Sequence, residues 1–355
     1  MKLRLFAFVS FLIVFSNSYA QDTTNVFGFE LKKLKPIVQI FGTADYDIEN
    51  NNYGYSFGRT HLGLQYQFNE KWIAKIIIDS GRATSVGEIT VTDANGNSLT
   101  VQNNAKEGAY YTMFLKFASL QWKVNNKLSM EGGAILQNHY ITQERFWGFR
   151  YVAQTFQDLY WKIPSSDLGF IANYKFNNIV SVDAAITNGE GPRVEQDMFG
   201  NIKFAGGIDI NPPKKIQTRI FYHNRHSVTD SEKNEQLFSA FIGYKPNEIF
   251  RIGGEFNYMA NLNNVPELDS YGFSFYSAYH VVENTQLFVR YDRLLYDMDK
   301  HIITNMKGDG NTIIGGISLS PVSDVNISLN YQRWMPDKTE NKQENNILVS
   351  MEYKF

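Results

Sequence analysis

Apolar and polar residues alternate with a period of two along most of the chain. The clearest example is at the end, where every second residue from position 347 to position 355 is apolar and those between are polar except for Leu348. The apolar set is Ile347, Val349, Met351, Tyr353 and Phe355. Strict alternation of this kind predicts a β-strand with one apolar face.

The polar faces of these strands indicate what they border. In the preceding strand the residues opposite the apolar face are Asn326, Ser328, Asn330 and Gln332. A strand of a soluble sandwich would carry charged residues on its solvated face, whereas short amides and hydroxyls are typical of the wall of a narrow wet space. We therefore interpret the alternation as membrane-spanning strands with a lipid face and a lumen face.

Sixteen segments carry the pattern, and most reach the length of about 9–11 residues that a tilted membrane strand requires. They cover residues 37–45, 55–68, 72–79, 109–123, 127–137, 166–176, 179–187, 202–211, 214–224, 235–245, 248–259, 270–281, 285–293, 311–320, 324–333 and 345–355.

The gaps between these segments are alternately short and long. Each even-numbered strand before the last is followed by two or three residues, such as Asn69 to Lys71 or Pro212 to Pro213, while the other gaps are longer and polar. Short periplasmic turns and long extracellular loops are typical of an outer-membrane barrel. An even strand number places both termini on the periplasmic side, and pairing the first strand with the last leaves no open edge in lipid. The sequence thus predicts one all-β domain, residues 37–355, a transmembrane antiparallel β-barrel of about 16 strands.

The first residues resemble a targeting segment. A basic start at Lys2 and Arg4 precedes an apolar run from Leu5 to Phe15, and small and polar residues follow up to Ala20. This order predicts a secretory signal peptide over residues 1–20. A membrane anchor is the alternative, but the run is shorter than the roughly 20 apolar residues that a spanning helix needs. Residues 21–36 are then a periplasmic N-terminal extension.

Composition excludes several classes of function. Lys and Arg total 34 against 36 for Asp and Glu, so the basic excess of a nucleic-acid-binding protein is missing. The chain has no Cys, which excludes disulfides, thiolate metal sites and a thiol nucleophile. The six histidines show no relation to Ser and carboxylate residues that would form a catalytic triad. We expect no catalytic residues, no metal site, no cofactor and no nucleic-acid partner.

The second long loop contains a small predicted hairpin. Residues 88–91 and 98–101 alternate in polarity and flank the sequence Asp93-Ala94-Asn95-Gly96-Asn97. A calcium-binding loop would need Gly at its sixth position and Glu at its twelfth, and neither is present. A plain Gly-containing turn is the better interpretation.

The third long loop, residues 138–165, is too aromatic for a loop exposed to water. It contains Arg-Phe-Trp-Gly-Phe-Arg-Tyr at 145–151 and Phe-Gln-Asp-Leu-Tyr-Trp at 156–161. Apolar side chains at this density must pack against something, and the barrel mouth offers an inner wall. We expect the loop to fold inward and narrow the pore; the alternative is an outer crown packed on neighbouring loops or on another subunit. The candidate constriction residues are Arg145, Arg150, Asp158 and Lys162.

Strand number predicts the size of the lumen. Barrels of about 16–18 strands enclose an aqueous channel. Charged residues on the predicted inner face would set its ion selectivity, and the candidates are Arg59, Lys75, Lys116, Arg219, Arg251, Glu255, Arg290 and Asp292. Basic residues slightly outnumber acidic ones, which favours a weak preference for anions. Pairing between neighbouring wall charges is the plainer interpretation for most of them.

Three short motifs are Phe288-Val289-Arg290-Tyr291-Asp292 in a strand, Asn188-Gly189-Glu190-Gly191 after a strand, and the terminal Tyr353-Lys354-Phe355. They resemble motifs of the phosphate-selective porin family and related general porins of Gram-negative outer membranes. The resemblance covers essentially the whole chain after the signal peptide.

This resemblance implies a sixteen-stranded barrel, often a homotrimer, with an inward third loop. It also implies outer-membrane lipid and lipopolysaccharide as surroundings, and Phe355 as a signal read by the barrel-assembly machinery. Phosphate-selective members line the constriction with basic residues. Here Glu144 and Asp158 accompany Arg145, Arg150 and Lys162, which departs from that pattern.

Together these features predict a water-filled channel for passive diffusion of small hydrophilic solutes and ions. The sequence also bears on two other classes of function. A barrel that serves as subunit or anchor of a larger surface or secretion assembly stays open as the alternative. An enzyme is disfavoured, because no histidine is tied to a nucleophile.

Overall fold

The computed structural model describes residues 25–26, 29–82, 88–92, 98–102, 111–191, 200–212, 215–227, 229–297, 307–338 and 342–355. The predicted signal peptide, residues 1–20, lies outside the described residues. Only part of the predicted extension, residues 21–36, is described.

Sixteen antiparallel strands form one closed barrel. Their bounds are β1 Leu34–Asp47, β2 Asn52–Gln67, β3 Trp72–Arg82, β4 Tyr111–Lys123, β5 Leu128–Leu136, β6 Ser166–Lys175, β7 Val180–Thr187, β8 Lys203–Ile210, β9 Ile216–Arg225, β10 Glu235–Tyr244, β11 Phe250–Ala260, β12 Asp269–Val282, β13 Thr285–Asp297, β14 Gly310–Val322, β15 Val325–Pro336 and β16 Glu344–Lys354. Each strand pairs with its neighbours in sequence, and β16 pairs with β1. The predicted fold class is confirmed.

Strand β1 begins earlier than the sequence predicted. It starts at Leu34, and its first residues pair with the end of β2, Leu34 with Tyr66 and Pro36 with Leu64. The expected boundary at residue 37 is therefore wrong by three residues. Pro36 lies within the strand although it has no N–H to donate to the ladder.

Alternation along each strand separates an outer face from the lumen. In β16, Ile347 and Val349 are 43% and 48% exposed, whereas Ser350 is fully buried. At the end of the barrel that carries the short turns, Trp72 and Trp122 stack on the outside with ring centroids 5.5 Å apart. Aromatic residues at this level are typical of the membrane interface.

The predicted hairpin in the second long loop is present. Glu88–Thr92 pairs antiparallel with Ser98–Gln102, and its turn lies outside the described residues. A two-residue pair, Asn25–Val26 with Phe29–Glu30, precedes the barrel.

Within the residues that the structure describes, helices are confined to short segments. The third long loop contains α1, Ile141–Trp147, and α2, Phe156–Tyr160, and single 3-10 turns lie at Leu31–Lys33 and Leu262–Asn264. In the described part of the chain, no helix combines the length and the apolar composition needed to cross a membrane.

Candidate functional site: the lumen and loop three

Loop three, residues 137–165, lies inside the barrel and packs on its inner wall in two apolar clusters. In the first, Phe146, Trp147, Phe149 and Tyr151 of the loop are buried with wall residues Phe41, Phe241, Tyr276, Ala278, Phe288 and Ile314. In the second, Phe156, Tyr160 and Trp161 are buried with Phe221, Leu237, Met259, Leu294, Tyr296 and Trp334. The wall residues come mainly from β9 to β15. At the level of these clusters the loop therefore fills that side of the lumen and leaves space beside β2 to β6.

Lumen-facing glycines make room for the loop. A Cβ on Gly243 would lie 2.5 Å from the Phe146 ring, and one on Gly272 would lie 2.1 Å from the Phe156 ring. Because real Cβ atoms do not approach other atoms so closely, any larger residue here would displace the aromatic side chain. Glycine within a strand often marks such a close approach.

A sharp reversal after α1 turns the chain within loop three. Gly148 has a φ of 75°, a conformation that glycine adopts without steric cost, and its N–H donates to the carbonyl of Glu144 at 3.0 Å. Arg251 of β11 donates through Nη2 to the carbonyl of Trp147 at 3.1 Å. These contacts fix the end of α1 against the wall, and Arg145 and Arg150 lie on opposite sides of the reversal.

A buried ion pair holds the second half of the loop. Arg290 and Asp292 of β13 are about 1% and 0% exposed, and Arg290 donates to the Asp292 carboxylate from Nε and Nη2, both at 2.8 Å. Arg290 also donates from Nη1 to the carbonyl of Gln154, and the Tyr160 hydroxyl donates to Asp292 at 2.8 Å. The pair is thus joined to both ends of residues 154–160.

A chamber of about 480 Å³ lies between the polar side of loop three and the wall at the long-loop end of the barrel. We call it the long-loop chamber. Its cationic residues are Arg59, Lys116, Arg150 and Lys162, and its acidic residues are Asp79, Asp158 and Glu190. Glu144 lies beside this chamber, because its carboxylate accepts from Arg150 Nε at 2.7 Å and lies 4.0 Å from Arg59 Nη2, and both arginines line the chamber.

Two of the acids in this chamber are tied to protein groups. Asp158 is 4% exposed; its carboxylate lies 3.7 Å from His139 Nε2 and 3.2 Å from Arg150 Nη2. Burial acts to raise the pKa of Asp158, but His139 and Arg150 outweigh it and hold the pKa below its usual 3.8. Burial lowers the pKa of His139, which favours a neutral imidazole. Asp79 accepts from the backbone N–H of Thr60 and Ser80.

Two further chambers open at the short-turn end. One, of about 520 Å³, is lined by Lys71, Lys123, Lys127 and Lys175 together with Glu70 and several amides. The other, of about 380 Å³, lies beneath loop three and contains Arg145, Lys245 and Arg251. We call these the lysine chamber and the arginine chamber.

The structure separates the residues predicted for the constriction. Arg150, Asp158 and Lys162 line the long-loop chamber, but Arg145 lines the arginine chamber on the other side of the loop. The expected grouping of both arginines at one place is therefore not observed, because the chain reverses at Gly148 between them.

The predicted lumen-wall charges all face the interior, and most have partners. Lys75 lies 3.4 Å from Glu131, and Lys116 donates to the Ser165 hydroxyl at 2.8 Å. Arg219 lies 2.8 Å from Asp183 and also pairs with Asp209. The remaining members, which lie in the contacts described above or are buried beside them, are Arg59, Arg251, Glu255, Arg290 and Asp292.

Sequence reasoning missed the basic short-turn end. Lys71, Lys123, Lys127, Lys175 and Lys245 each lie within two residues of a short turn, and the repeated position of lysine beside these turns is a signal that could have been used. Alternation along a strand assigns a face only to strand residues, so it does not place the side chains at the turns.

Neither metal binding nor a catalytic triad finds support among the described residues. They contain no group of three or more His, Cys, Asp or Glu side chains that could hold a metal ion. They contain three buried histidine–carboxylate pairs, His61 with Asp79, His139 with Asp158 and His223 with Glu235, at 3.4, 3.7 and 3.3 Å. All six side chains lie inside the lumen.

Solved structures share this architecture at low sequence identity. OmpF of Salmonella typhi, solved with daunomycin, matches with a TM-score of 0.64 at 10% identity over 91% of this chain and 97% of that one. The outer-membrane channel DcaP of Acinetobacter baumannii matches with a TM-score of 0.60 at 13% identity, over 91% of this chain and 97% of that one. OprB of Pseudomonas putida matches with a TM-score of 0.65 at 9% identity, over 91% of this chain and 94% of that one. No curated protein matches the chain.

A closed sixteen-stranded barrel with an inward loop and polar chambers at both ends defines the class of outer-membrane porins. Residues 159–354, more than half of the chain, match the family model described as beta-barrel porin-2, OmpL-like. The chain belongs to this family. The predicted membership in the Gram-negative porins is confirmed, and the family that matches is the OmpL-like one.

Proposed function

We propose that this porin forms an open channel for passive diffusion of small hydrophilic solutes and ions, without enzymatic activity. The path runs beside β2 to β6, from the long-loop chamber past Glu144 to the lysine chamber. Loop three forms its other wall, with Arg150, Asp158 and Lys162 at the narrow section.

The observation that carries the proposal is the charge of the chambers. Eight cationic and four acidic residues line the two chambers on the proposed path, although acidic residues outnumber basic ones by two in the whole chain. Fixed charge on a narrow wet wall acts on passing ions. We therefore propose a weak preference for anions, and uncharged hydrophilic solutes should pass as well.

The test is swelling of liposomes that contain the purified protein. Neutral sugars of increasing size should enter at decreasing rates, and small anions should enter faster than cations of equal size. Liposomes that contain correctly folded protein yet admit no sugar would contradict the proposal.

Orientation and assembly belong to the same proposal. The short turns and both termini face the periplasm, Phe355 is read by the assembly machinery, and three copies associate in the outer membrane among lipid and lipopolysaccharide. One solved relative in fold, OmpT of Vibrio cholerae, is described as a trimer form. Cross-linking of the protein in native membranes tests the oligomer.

A second candidate rests on the packing of loop three. Two buried aromatic clusters occupy one side of the lumen, and a barrel so filled could serve as the anchor of a larger surface assembly. This candidate predicts partners that co-purify in stoichiometric amounts and little conductance in the isolated barrel.

A further inference from the structure

The arginine chamber differs from the rest of the lumen in its lining. It contains Arg145, Lys245 and Arg251 with three amides, Gln217, Gln286 and Asn326, and none of its lining residues is acidic. All six belong to the short-turn end of the barrel or to the face of loop three that looks toward it.

One of the arginines is held in place and keeps a free donor. Arg251 donates from Nη1 to Gln286 Oε1 and from Nη2 to the Trp147 carbonyl, both at 3.1 Å. Its guanidinium carbon lies 5.0 Å from the centre of the Phe149 ring. Its Nε is buried without a hydrogen-bond partner in the described residues, and a buried donor in that state is costly unless something accepts from it.

Acidic groups near the chamber are few and already engaged. Glu248, which is strongly exposed, pairs with Lys245. Glu352 accepts from Asn326 at 2.9 Å and from Gln39 at 2.7 Å. Neither lines the chamber, so the charged residues of its lining are all cationic.

From this geometry we propose that the arginine chamber is a binding site for a small oxyanion, the carboxylate or phosphate group of a hydrophilic solute. Guanidinium groups match the oxygens of carboxylate and phosphate, and the amides can bond hydroxyl groups of the same solute. A volume of about 380 Å³ lies in the usual range of small-molecule sites. The site lies beneath loop three, beside the proposed path, and would concentrate anions at the short-turn mouth.

Binding can be measured without reference to transport. Inorganic phosphate and gluconate would be titrated by calorimetry into detergent-solubilised protein at low salt, and binding to one site per barrel is expected. The double variant R145Q/K245Q should raise the Kd at least tenfold. The matched control R293Q/K307Q removes the same charge at the long-loop end, where both residues pair with acids, and should bind as the wild type does.

Heat-modifiable mobility verifies that each variant is folded. The single variant K245Q is measured as well, because Lys245 is bonded to the exposed Glu248 and its replacement removes no contact with loop three. Absence of binding to the wild type, or an equal loss in both double variants, would overturn the proposal. The outcome is separable from channel function: a barrel that binds phosphate but passes no solute contradicts only the proposed transport.

Block of the chloride current by phosphate, added on one side of the bilayer at a time, shows at which end of the lumen the site lies. Since the chain has no Cys, a single S323C in a short turn allows the inserted orientation to be read with an impermeant maleimide. Phosphate added on the short-turn side should reduce chloride current at lower concentration than phosphate added on the other side. Equal sensitivity on both sides would contradict a site beneath the loop.

Discussion

At the scale of single residues, the two arginines of β13 that belong to ion pairs differ sharply in environment. Arg290 and its partner Asp292 are almost fully buried, whereas Arg293 and Asp337 lie at the rim with side chains 25% and 36% exposed. Removing one member of a buried pair leaves an uncompensated charge, which typically costs about 3–5 kcal/mol, while exposed pairs contribute about 0–1 kcal/mol.

We therefore expect R290A to lower the free energy of unfolding by about 3–5 kcal/mol, and R293A by about 1 kcal/mol or less. R290A should also loosen loop three, because Arg290 donates to the Gln154 carbonyl. Urea unfolding in lipid vesicles measures both. Equal effects of the two substitutions would show that the buried pair does not hold the loop.

The charge of Asp158 sets a second expectation at this scale. Because His139 and Arg150 hold its pKa below the usual 3.8, Asp158 stays ionised as the pH falls from 7 to about 4, and its charge is lost only when the pH falls through the lowered value. D158N should increase the preference for anions at pH 7, where the wild type carries the charge. Reversal potentials under a salt gradient measure this, and the difference between D158N and wild type should persist at pH 5. A difference that vanishes between pH 7 and pH 5 would mean that the carboxyl is protonated there.

At the scale of elements, the fit of loop three into the wall depends on small residues. A Cβ at position 272 would meet the Phe156 ring and the Arg293 carbonyl, so G272A should destabilise the barrel by about 1–3 kcal/mol through overpacking. The control is G315A, whose Cβ would have no neighbour nearer than 3.7 Å. The temperature at which heat-modifiable mobility is lost reports both variants, and an unchanged value for G272A would show that the loop does not press on this strand.

Removal of the loop is the more drastic change at this scale. Deleting residues 145–160 takes away the aromatic side chains that fill the lumen next to β9 to β15, and single-channel conductance should rise severalfold. Variants that fold, as judged by heat-modifiable mobility, are compared with wild type in the same lipid. Unchanged conductance would mean that the loop does not limit the current.

Most strands could be predicted from the sequence because lipid and water impose opposite polarity on alternate residues. The predicted strand ends were least accurate where loop three packs against the barrel wall. Strand β13 was expected to end at residue 293 but continues to Asp297, since Leu294 and Tyr296 place apolar side chains on the lumen face and interrupt the alternation. The same holds for β15, where Trp334 faces inward beyond the expected end at residue 333.

The arrangement of the site was less predictable. The aromatic content of loop three predicted its place inside the barrel. The reversal that separates Arg145 from Arg150 depends on the backbone conformation of Gly148 and on the hydrogen bond from Arg251 to the Trp147 carbonyl. Nothing in the local sequence indicates to which side of the loop each arginine turns. Replacing Arg150 alone is therefore expected to act on the long-loop chamber, and replacing Arg145 alone on the arginine chamber.

At the scale of the whole molecule, loop three divides the lumen unequally. One side is filled by buried aromatic side chains, with Trp147, Phe149 and Phe156 nearly inaccessible to solvent. The other side keeps polar chambers at both ends, in which the cationic lining residues outnumber the acidic ones. The proposed channel, bounded by loop three and by β2 to β6, runs through the side that the loop leaves open.

The most direct test of such a channel is the single-channel conductance of the purified wild-type protein in a planar bilayer. The account predicts discrete, ohmic current steps and a reversal potential on the anion side in a salt gradient, which moves toward zero at high salt as screening shortens the reach of the wall charges. Folded protein that inserts into the bilayer and passes no current would contradict it.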